Sequence, residues 1–206
     1  MICSALAGKI MVSTAYLPPI AYVSIISGAR EVLIEKEENY IKQTYRNRCY
    51  ILSANGIQSL SVPVLLGSFH KTAVKDIRID YSRRWQQVHL RALIAAYKSS
   101  PFFEYYFDGI ENIISARHTF LLDLNLELIT FVLKTLKSKT RIDYTSDFEP
   151  ALNEPYDFRY SLTPKMDDHR KYKEYLQVFS SRYGFVPGLS IADLIFNTGP
   201  DSARFL

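Results

Sequence analysis

The sequence has 206 residues, of which 48% are hydrophobic and 22% are charged, and this composition is ordinary for a soluble globular protein. Two cysteines exclude a disulfide framework, and their scarcity indicates a reducing, cytoplasmic location. No stretch is long and apolar enough for a transmembrane segment. The net charge of +4, without a recognised nucleic-acid-binding module, argues against a nucleic-acid partner.

The length predicts one domain over residues 1–206. Within it we expect an α/β body over residues 9–145 and a loop-and-helix tail over residues 146–206 that packs on the body. The apolar run 10–12 predicts a buried strand, and the prolines Pro18 and Pro19 open a helix that ends at Gly28. Residues 31–34 predict a second strand, which makes a parallel βαβ unit. Ligands of such sheets bind beyond the carboxyl ends of the strands.

Positive charge is concentrated in residues 41–100, which contain ten Lys or Arg and two Asp or Glu. The local net charge is about +8. Within this region, Lys42, Arg46 and Arg48 lie on the loop after the second strand, and Lys71 follows in a later loop. Guanidinium groups bind phosphate bidentately. The pattern predicts either a site for a diphosphate or a solvated basic loop.

The rest of the chain predicts a hairpin followed by helices. The hairpin occupies residues 48–64 around the turn signal Asn55-Gly56, and residues 74–80 predict another strand. Helices are expected over 82–98, 101–116, 119–136, 171–181 and 191–196, with a strand at 141–144 and a long loop over 146–168. The predicted fold class is α/β, with a mixed sheet that combines the parallel βαβ portion and the hairpin, and with helices packed on the sheet.

Several short motifs resemble the WbqC-like protein family from about residue 10 onward. They are Tyr16-Leu17-Pro18, Asn39-Tyr40, Arg46-Asn47-Arg48, Leu60-Ser61-Val62-Pro63-Val64, Ile77-Arg78-Ile79-Asp80, Trp85 with His89, Pro101-Phe102-Phe103 and the tail 189–200. Two positions depart from the family: Ser13, where many members have Gln, and Ala21, where many have Gly. Family members occur among bacterial genes for O-antigen and other surface polysaccharides.

The resemblance implies a role in surface-polysaccharide assembly. Together with the local excess of positive charge, it leads to the hypothesis of a transferase that moves an acyl, aminoacyl or glycosyl group onto a phosphorylated, nucleotide-linked or lipid-linked sugar. In this hypothesis Arg46, Arg48 and Lys71 hold phosphate, and His89 accepts a proton. Tyr16, Tyr40 and Asn47 contact the sugar or base. The alternative is a non-catalytic partner that binds another polysaccharide-assembly enzyme through an aromatic-rich surface.

Two of these residues also have purely structural explanations. His89 follows Trp85 by four residues on one helix face, so it is either a general base or a packed histidine. Asn125 lies on the apolar face of a helix, and we favour a buried hydrogen-bond network over a ligand contact. The four histidines lack metal-ligand spacing, and no Gly-rich phosphate loop occurs, so no metal and no cofactor are expected.

Overall fold

The computed structural model describes residues 8–65, 71–148, 150, 156–164 and 170–206. It confirms the α/β fold class. A three-stranded parallel sheet has the order β1-β2-β7, with β1 at Lys9–Ser13, β2 at Glu31–Glu35 and β7 at Arg141–Tyr144. Helix α1, Ile20–Ser27, connects β1 to β2, and Pro19 precedes it as predicted.

The register of the parallel sheet brings three strand ends together. Ser13 pairs with Glu35 at the end of β1 and β2, and Ile34 pairs with Tyr144 on β7. The backbone continues this edge, because Thr145 N–H donates to the Ile34 carbonyl at 3.2 Å. Polar side chains that follow these strands therefore lie at one end of the sheet.

The predicted hairpin forms a separate two-stranded antiparallel sheet. Strands β3, Arg48–Ser53, and β4, Gly56–Ser61, are hydrogen-bonded only to each other among the described strands. Their inner residues are buried, including the opposed pair Cys49 and Leu60. A second small pair joins β5, Val64–Leu65, to β6, Arg78–Ile79.

The predicted strand over residues 74–80 is wrong in its first half. Val74–Asp76 forms a single 3₁₀ turn, and only Arg78–Ile79 is a strand. Val74 and Ile77 are both fully buried at a spacing of three residues, which is the period of a 3₁₀ turn. The apolar residues of this segment therefore fit the three-residue period of a 3₁₀ turn as well as the two-residue period of a strand.

Helices cover the sheets and divide the core in two. They are α2 at Trp85–Tyr97, α3 at Phe103–Ser115, α4 at Leu121–Thr135, α5 at Ser180–Tyr183 and α6 at Ile191–Thr198. One hydrophobic cluster lies under the hairpin, α2 and α3, and the other lies between the parallel sheet and α1. Helices α4 and α6 contribute side chains to both clusters, so they join the two halves.

The described parts of the tail contact the body closely. Asp157 forms a parallel bridge with Met11, and Phe158 N–H donates to the Met11 carbonyl at 2.8 Å. The predicted helix over 171–181 is wrong, because residues 171–177 form no helix or strand and only α5 is helical there. Tyr175 and Gln177 instead hydrogen-bond Asp193 on α6. The single-domain boundary stays a prediction.

Candidate functional site

A small cleft lies at the carboxyl end of the parallel sheet, where sheets of this type bind ligands. It is open to solvent, and its cavity volume of about 10 Å³ is close to that of one water molecule. Its lining residues are Ser13, Thr14, Ala15, Tyr22, Tyr45, Arg46, Phe158, Arg159 and Leu162. The tail segment 156–164 therefore forms one wall, and β1 with the loop before β3 forms the other.

Arg46 is buried in this wall and is paired with Glu38. Its Nε donates to Glu38 Oε1 at 2.9 Å, and one terminal nitrogen donates to Oε2 at 2.6 Å. That terminal nitrogen also donates to Ser13 Oγ at 2.7 Å, and the other donates to Thr44 Oγ1 at 3.3 Å. Glu38 lies just before the basic region in sequence, and in the folded chain its carboxylate balances the charge of Arg46. An anion could bind Arg46 only by displacing some of these hydrogen bonds.

Arg159 forms the opposite wall and was not anticipated from the sequence. Its side chain is fully buried, with contacts to Asp157 at 2.6 Å and to Glu35 at 3.0 Å. Ser13 Oγ donates to the Arg159 carbonyl at 3.1 Å, so one serine joins both arginine segments. The only feature of the sequence that could have indicated a buried arginine was its position among aromatic residues in a polar loop. Its partner Glu35 lies 124 positions away, beyond the reach of any local pattern.

Asn125 supports the cleft from behind. Its Nδ2 donates to Thr14 Oγ1 at 3.0 Å and to the Arg46 carbonyl at 2.8 Å. The side chain is buried on α4. The favoured interpretation of Asn125 as a member of a buried network is confirmed.

Arg48 lies at the start of β3, two residues after Arg46; it is partly buried and is not among the lining residues of the cleft. Its Nε donates to Ser61 Oγ on β4 at 2.8 Å. No carboxylate in the described part of the chain forms an ion pair with it. Both Arg46 and Arg48 act electrostatically on the Tyr40 hydroxyl, although burial dominates and raises the pKa of Tyr40 to about 12. Arg46, Arg48 and Tyr40 are therefore neighbours.

A backbone hydrogen bond places the segment that contains Lys71 beside Tyr40. Tyr40 N–H donates to the Thr72 carbonyl at 2.9 Å, which places the exposed Lys71 beside the chain segment of Tyr40. Lys42 is also exposed. His70, which precedes Lys71, lies outside the described residues.

Tyr16 is buried in the hydrophobic cluster under the hairpin, where its side chain meets His89, whereas its backbone N–H donates at 2.9 Å to the carbonyl of Tyr45, a lining residue of the cleft. The Tyr16 hydroxyl is 2.9 Å from His89 Nδ1, and the Ser61 backbone hydrogen-bonds the same ring. Burial lowers the pKa of His89 to about 4 and raises the pKa of Tyr16 well above its ordinary value. The imidazole is thus neutral at pH 7 and held on two sides. Its catalytic role stays a prediction.

Asn47 connects the two neighbourhoods. Its Nδ2 donates to the Val62 carbonyl at 2.8 Å, and Val62 N–H donates to the Asn47 carbonyl at 2.8 Å. The structure thus brings Arg46 and Arg48 near Tyr40, places the backbone of Lys71 beside Tyr40, and buries Tyr16 with His89 as a separate pair. Asn47 stands between them, because it follows Arg46 in sequence and lies beside the strand that contacts His89.

No group of three or more metal-binding side chains occurs among the described residues. Within the same part of the chain, none of the helices is long and apolar enough to cross a membrane. A model of the WbqC-like protein family matches residues 14–169, which include Arg48, His89 and every lining residue of the cleft except Ser13.

The chain belongs to the WbqC-like protein family.

A similar WbqC-like chain is the uncharacterized protein Rv1507c of Mycobacterium tuberculosis. It is 27% identical over 226 aligned positions, which cover 95% of this chain and 96% of that protein. The similarity therefore extends through the tail, beyond residue 169. No solved structure matches the chain.

Proposed function

We propose that this WbqC-like protein is a transferase of bacterial surface-polysaccharide assembly. It binds a phosphorylated or nucleotide-linked sugar and transfers an acyl, aminoacyl or glycosyl group. Family membership supports the pathway, because members of the family occur among genes for O-antigen and related polysaccharides. The chemistry at the basic region supports the class of ligand.

The environment of Arg48 is the observation that carries the proposal. One N–H of its guanidinium is fixed by Ser61 Oγ, while the group stays partly exposed and has no ion-pair partner among the described residues. A guanidinium held in this way is suited to bidentate binding of a phosphate. The exposed Lys71 adds a second positive charge beside Tyr40.

The other predicted residues have supporting roles in this proposal. Arg46, locked by Glu38, supplies positive potential and positions the loop that carries Arg48. Tyr40 offers a ring edge to the sugar or base. His89 is the proposed proton acceptor, and Tyr16 orients its ring through Nδ1.

Calorimetric titration with a panel of nucleotide sugars tests the proposal. We expect binding that Arg48→Ala weakens by about tenfold or more, because a hydrogen bond to a charged group contributes about 1.5–3 kcal/mol. Arg91→Ala is the matched control, because Arg91 is an exposed arginine on α2, outside the proposed site. Absence of binding at millimolar ligand, or equal losses in both variants, would contradict the proposal.

The alternative function is non-catalytic binding to a polysaccharide-assembly enzyme. Two observations favour it: His89 is buried and hydrogen-bonded on both sides, and large apolar side chains such as Tyr105 and Leu176 are 80% and 78% exposed. This function predicts co-purification with a transferase that Tyr105→Ser or Leu176→Ser disrupts. It also predicts product formation that is unchanged by His89→Gln. The proposed transferase instead predicts a large loss of product in His89→Gln and none in the surface variants.

A further inference from the structure

The charged groups in the walls of the cleft are already paired with one another. Arg46 forms an ion pair with Glu38, and Arg159 forms ion pairs with Glu35 and Asp157. Two guanidinium groups against three carboxylates leave a formal charge of −1. An anion therefore gains no net attraction from these groups, and the cleft suits an uncharged ligand.

The cleft has room for one oxygen atom, and two hydrogen-bond donors of its lining side chains are unused among the described residues. Its cavity volume is about 10 Å³. The Thr14 hydroxyl, which is 2% exposed, accepts from Asn125 Nδ2 but donates to no described group. The hydrogen bonds of Arg46 to neighbouring side chains use every N–H of its guanidinium except one on Nη1. A hydroxyl that enters the cleft can therefore accept a hydrogen bond from either side chain.

Tyr160 lies at the mouth of the cleft, in the wall formed by residues 156–164. The Cζ atom of Arg159 is 5.8 Å from the centroid of its ring, and Tyr160 is 41% exposed. Burial raises the pKa of Tyr160, and the charges of Glu38 and Arg46 on the opposite wall also act on its hydroxyl. The hydroxyl is therefore close to both walls. It forms no hydrogen bond within the described part of the chain.

We propose that the cleft and Tyr160 form a subsite for an uncharged sugar ring. One face of the sugar packs on the Tyr160 ring, and one hydroxyl of the sugar enters the cleft, where it accepts from Thr14 or Arg46. A sugar ring has apolar C–H surfaces and a rim of hydroxyls. These features match an exposed aromatic ring beside a space for one hydroxyl.

This subsite is distinct from the proposed phosphate site, because Arg48 is not among the lining residues of the cleft. Binding of a sugar there does not require a phosphate. In the proposed transferase the subsite holds the acceptor sugar, and only that assignment rests on the proposed function.

Uncharged methyl glycosides of glucose, galactose, mannose and N-acetylglucosamine are the probes, and saturation-transfer-difference NMR measures their binding. We expect at least one of them to bind with a dissociation constant of about 1–10 mM, since the contacts are few. Tyr160→Ala should weaken this binding about fivefold or more, because the packing surface is lost. Tyr160→Phe keeps the ring and should stay within about threefold of wild type. Thr14→Val, which removes the hydroxyl at nearly constant volume, should also weaken binding about fivefold.

Tyr183→Ala is the matched control. Tyr183 also follows an arginine, with the Cζ atom of Arg182 5.2 Å from its ring centroid, but it lies on α5 and donates to the Ala54 carbonyl. We expect this variant to bind the glycosides as wild type does.

Three results would overturn the sugar subsite. They are no binding of any glycoside at about 100 mM, tighter binding of uridine than of every glycoside, or equal glycoside binding by wild type and Tyr160→Ala. Each of them leaves the phosphate site intact if Arg48→Ala still weakens the binding of nucleotide sugars. Glycoside binding that depends on Tyr160, without binding of any nucleotide sugar, would support the subsite and overturn the phosphate site.

Discussion

The Tyr16 hydroxyl lies 2.9 Å from Nδ1 of His89, although the residues are 73 positions apart in the sequence. Tyr16 follows β1 and His89 is on α2, so the contact joins the parallel sheet to the helices under the hairpin. Both side chains are almost completely buried, which explains why the pKa of the imidazole falls and that of the phenol rises. The pair therefore makes a strong prediction about stability as a function of pH.

Acidification should destabilise the protein through His89. Its pKa is about 4 in the folded chain against 6.5 ordinarily, so between these values the unfolded chain binds more protons. The stability contributed by the neutral ring is complete above about pH 6.5 and is lost as the pH falls through 4. Between pH 7 and pH 4.5 we expect urea denaturation to show a loss of about 2 kcal/mol more for wild type than for His89→Gln. Equal losses of stability in wild type and His89→Gln would mean that the folded protein can take up the proton on the imidazole without unfolding.

Arg46→Ala should be among the most destabilising single substitutions. It leaves Glu38 buried without its partner, which costs about 3–5 kcal/mol of unfolding free energy. Lys9→Ala is the matched control, because the Lys9–Glu31 pair is exposed, and we expect little change from it. The double variant Arg46→Met with Glu38→Leu should recover much of the loss. A mild effect of Arg46→Ala in chemical denaturation would show that water reaches the pair.

Asp193→Ala should loosen residues 170–182 from α6. The carboxylate accepts from the Tyr175 hydroxyl at 2.6 Å and from Gln177 Nε2 at 3.0 Å, and it is fully buried. Removal takes the acceptor from the Tyr175 hydroxyl and one of two acceptors from Gln177 Nε2, which keeps the Val186 carbonyl, so we expect a loss of about 3 kcal/mol and faster tryptic cleavage in residues 170–182. Asp201→Ala, which removes an exposed ion pair with Arg204, should change neither measurement. Unchanged proteolysis in Asp193→Ala would show that other contacts hold residues 170–182.

Two glycines with positive φ allow the cost of backbone strain to be measured apart from the cost of steric overlap. Gly199 has φ 54° and a Cβ there would overlap the Phe102 ring, whereas Gly184 has φ 68° and open space around it. The ψ angles are −159° at Gly184 and −126° at Gly199, a backbone region that is open essentially to glycine alone, so each alanine substitution costs about 1–3 kcal/mol in backbone strain. We expect Gly199→Ala to lose about 1–3 kcal/mol more than Gly184→Ala in thermal or urea unfolding. Equal losses would mean that Phe102 moves aside freely.

Local pattern was sufficient for most of the elements. The strands around Val12 and Leu33, the helix after Pro19 and the hairpin before Val62 were predicted because each has an apolar run or a strong local signal, such as Pro19 before the helix and Asn55-Gly56 in the hairpin turn. Residues 74–80 and 171–181 were not predicted correctly, since the same local pattern also fits a 3₁₀ turn in the first segment and an irregular chain in the second. Long-range hydrogen bonds decided both segments, such as the one from Val74 N–H to the Glu38 carbonyl.

Within the candidate site, the sequence located the residue types but not their partners. The positive charges around Arg48 and the amide of Asn125 were visible as composition and as spacing on a helix. Nothing in the local sequence indicated that Arg159 would enter the sheet edge.

By itself the sequence determined most of the strands and helices and where positive charge is concentrated, because these depend on neighbours within a few positions. Only the tertiary structure decided which charges remain available to a ligand. Arg46 is paired with Glu38 and Arg159 with Glu35 and Asp157, while Arg48 is partly buried and has no ion-pair partner among the described residues. The physical reason is that pairing depends on distance through space and on burial, and the parallel sheet sets both when it brings the ends of separate strands together.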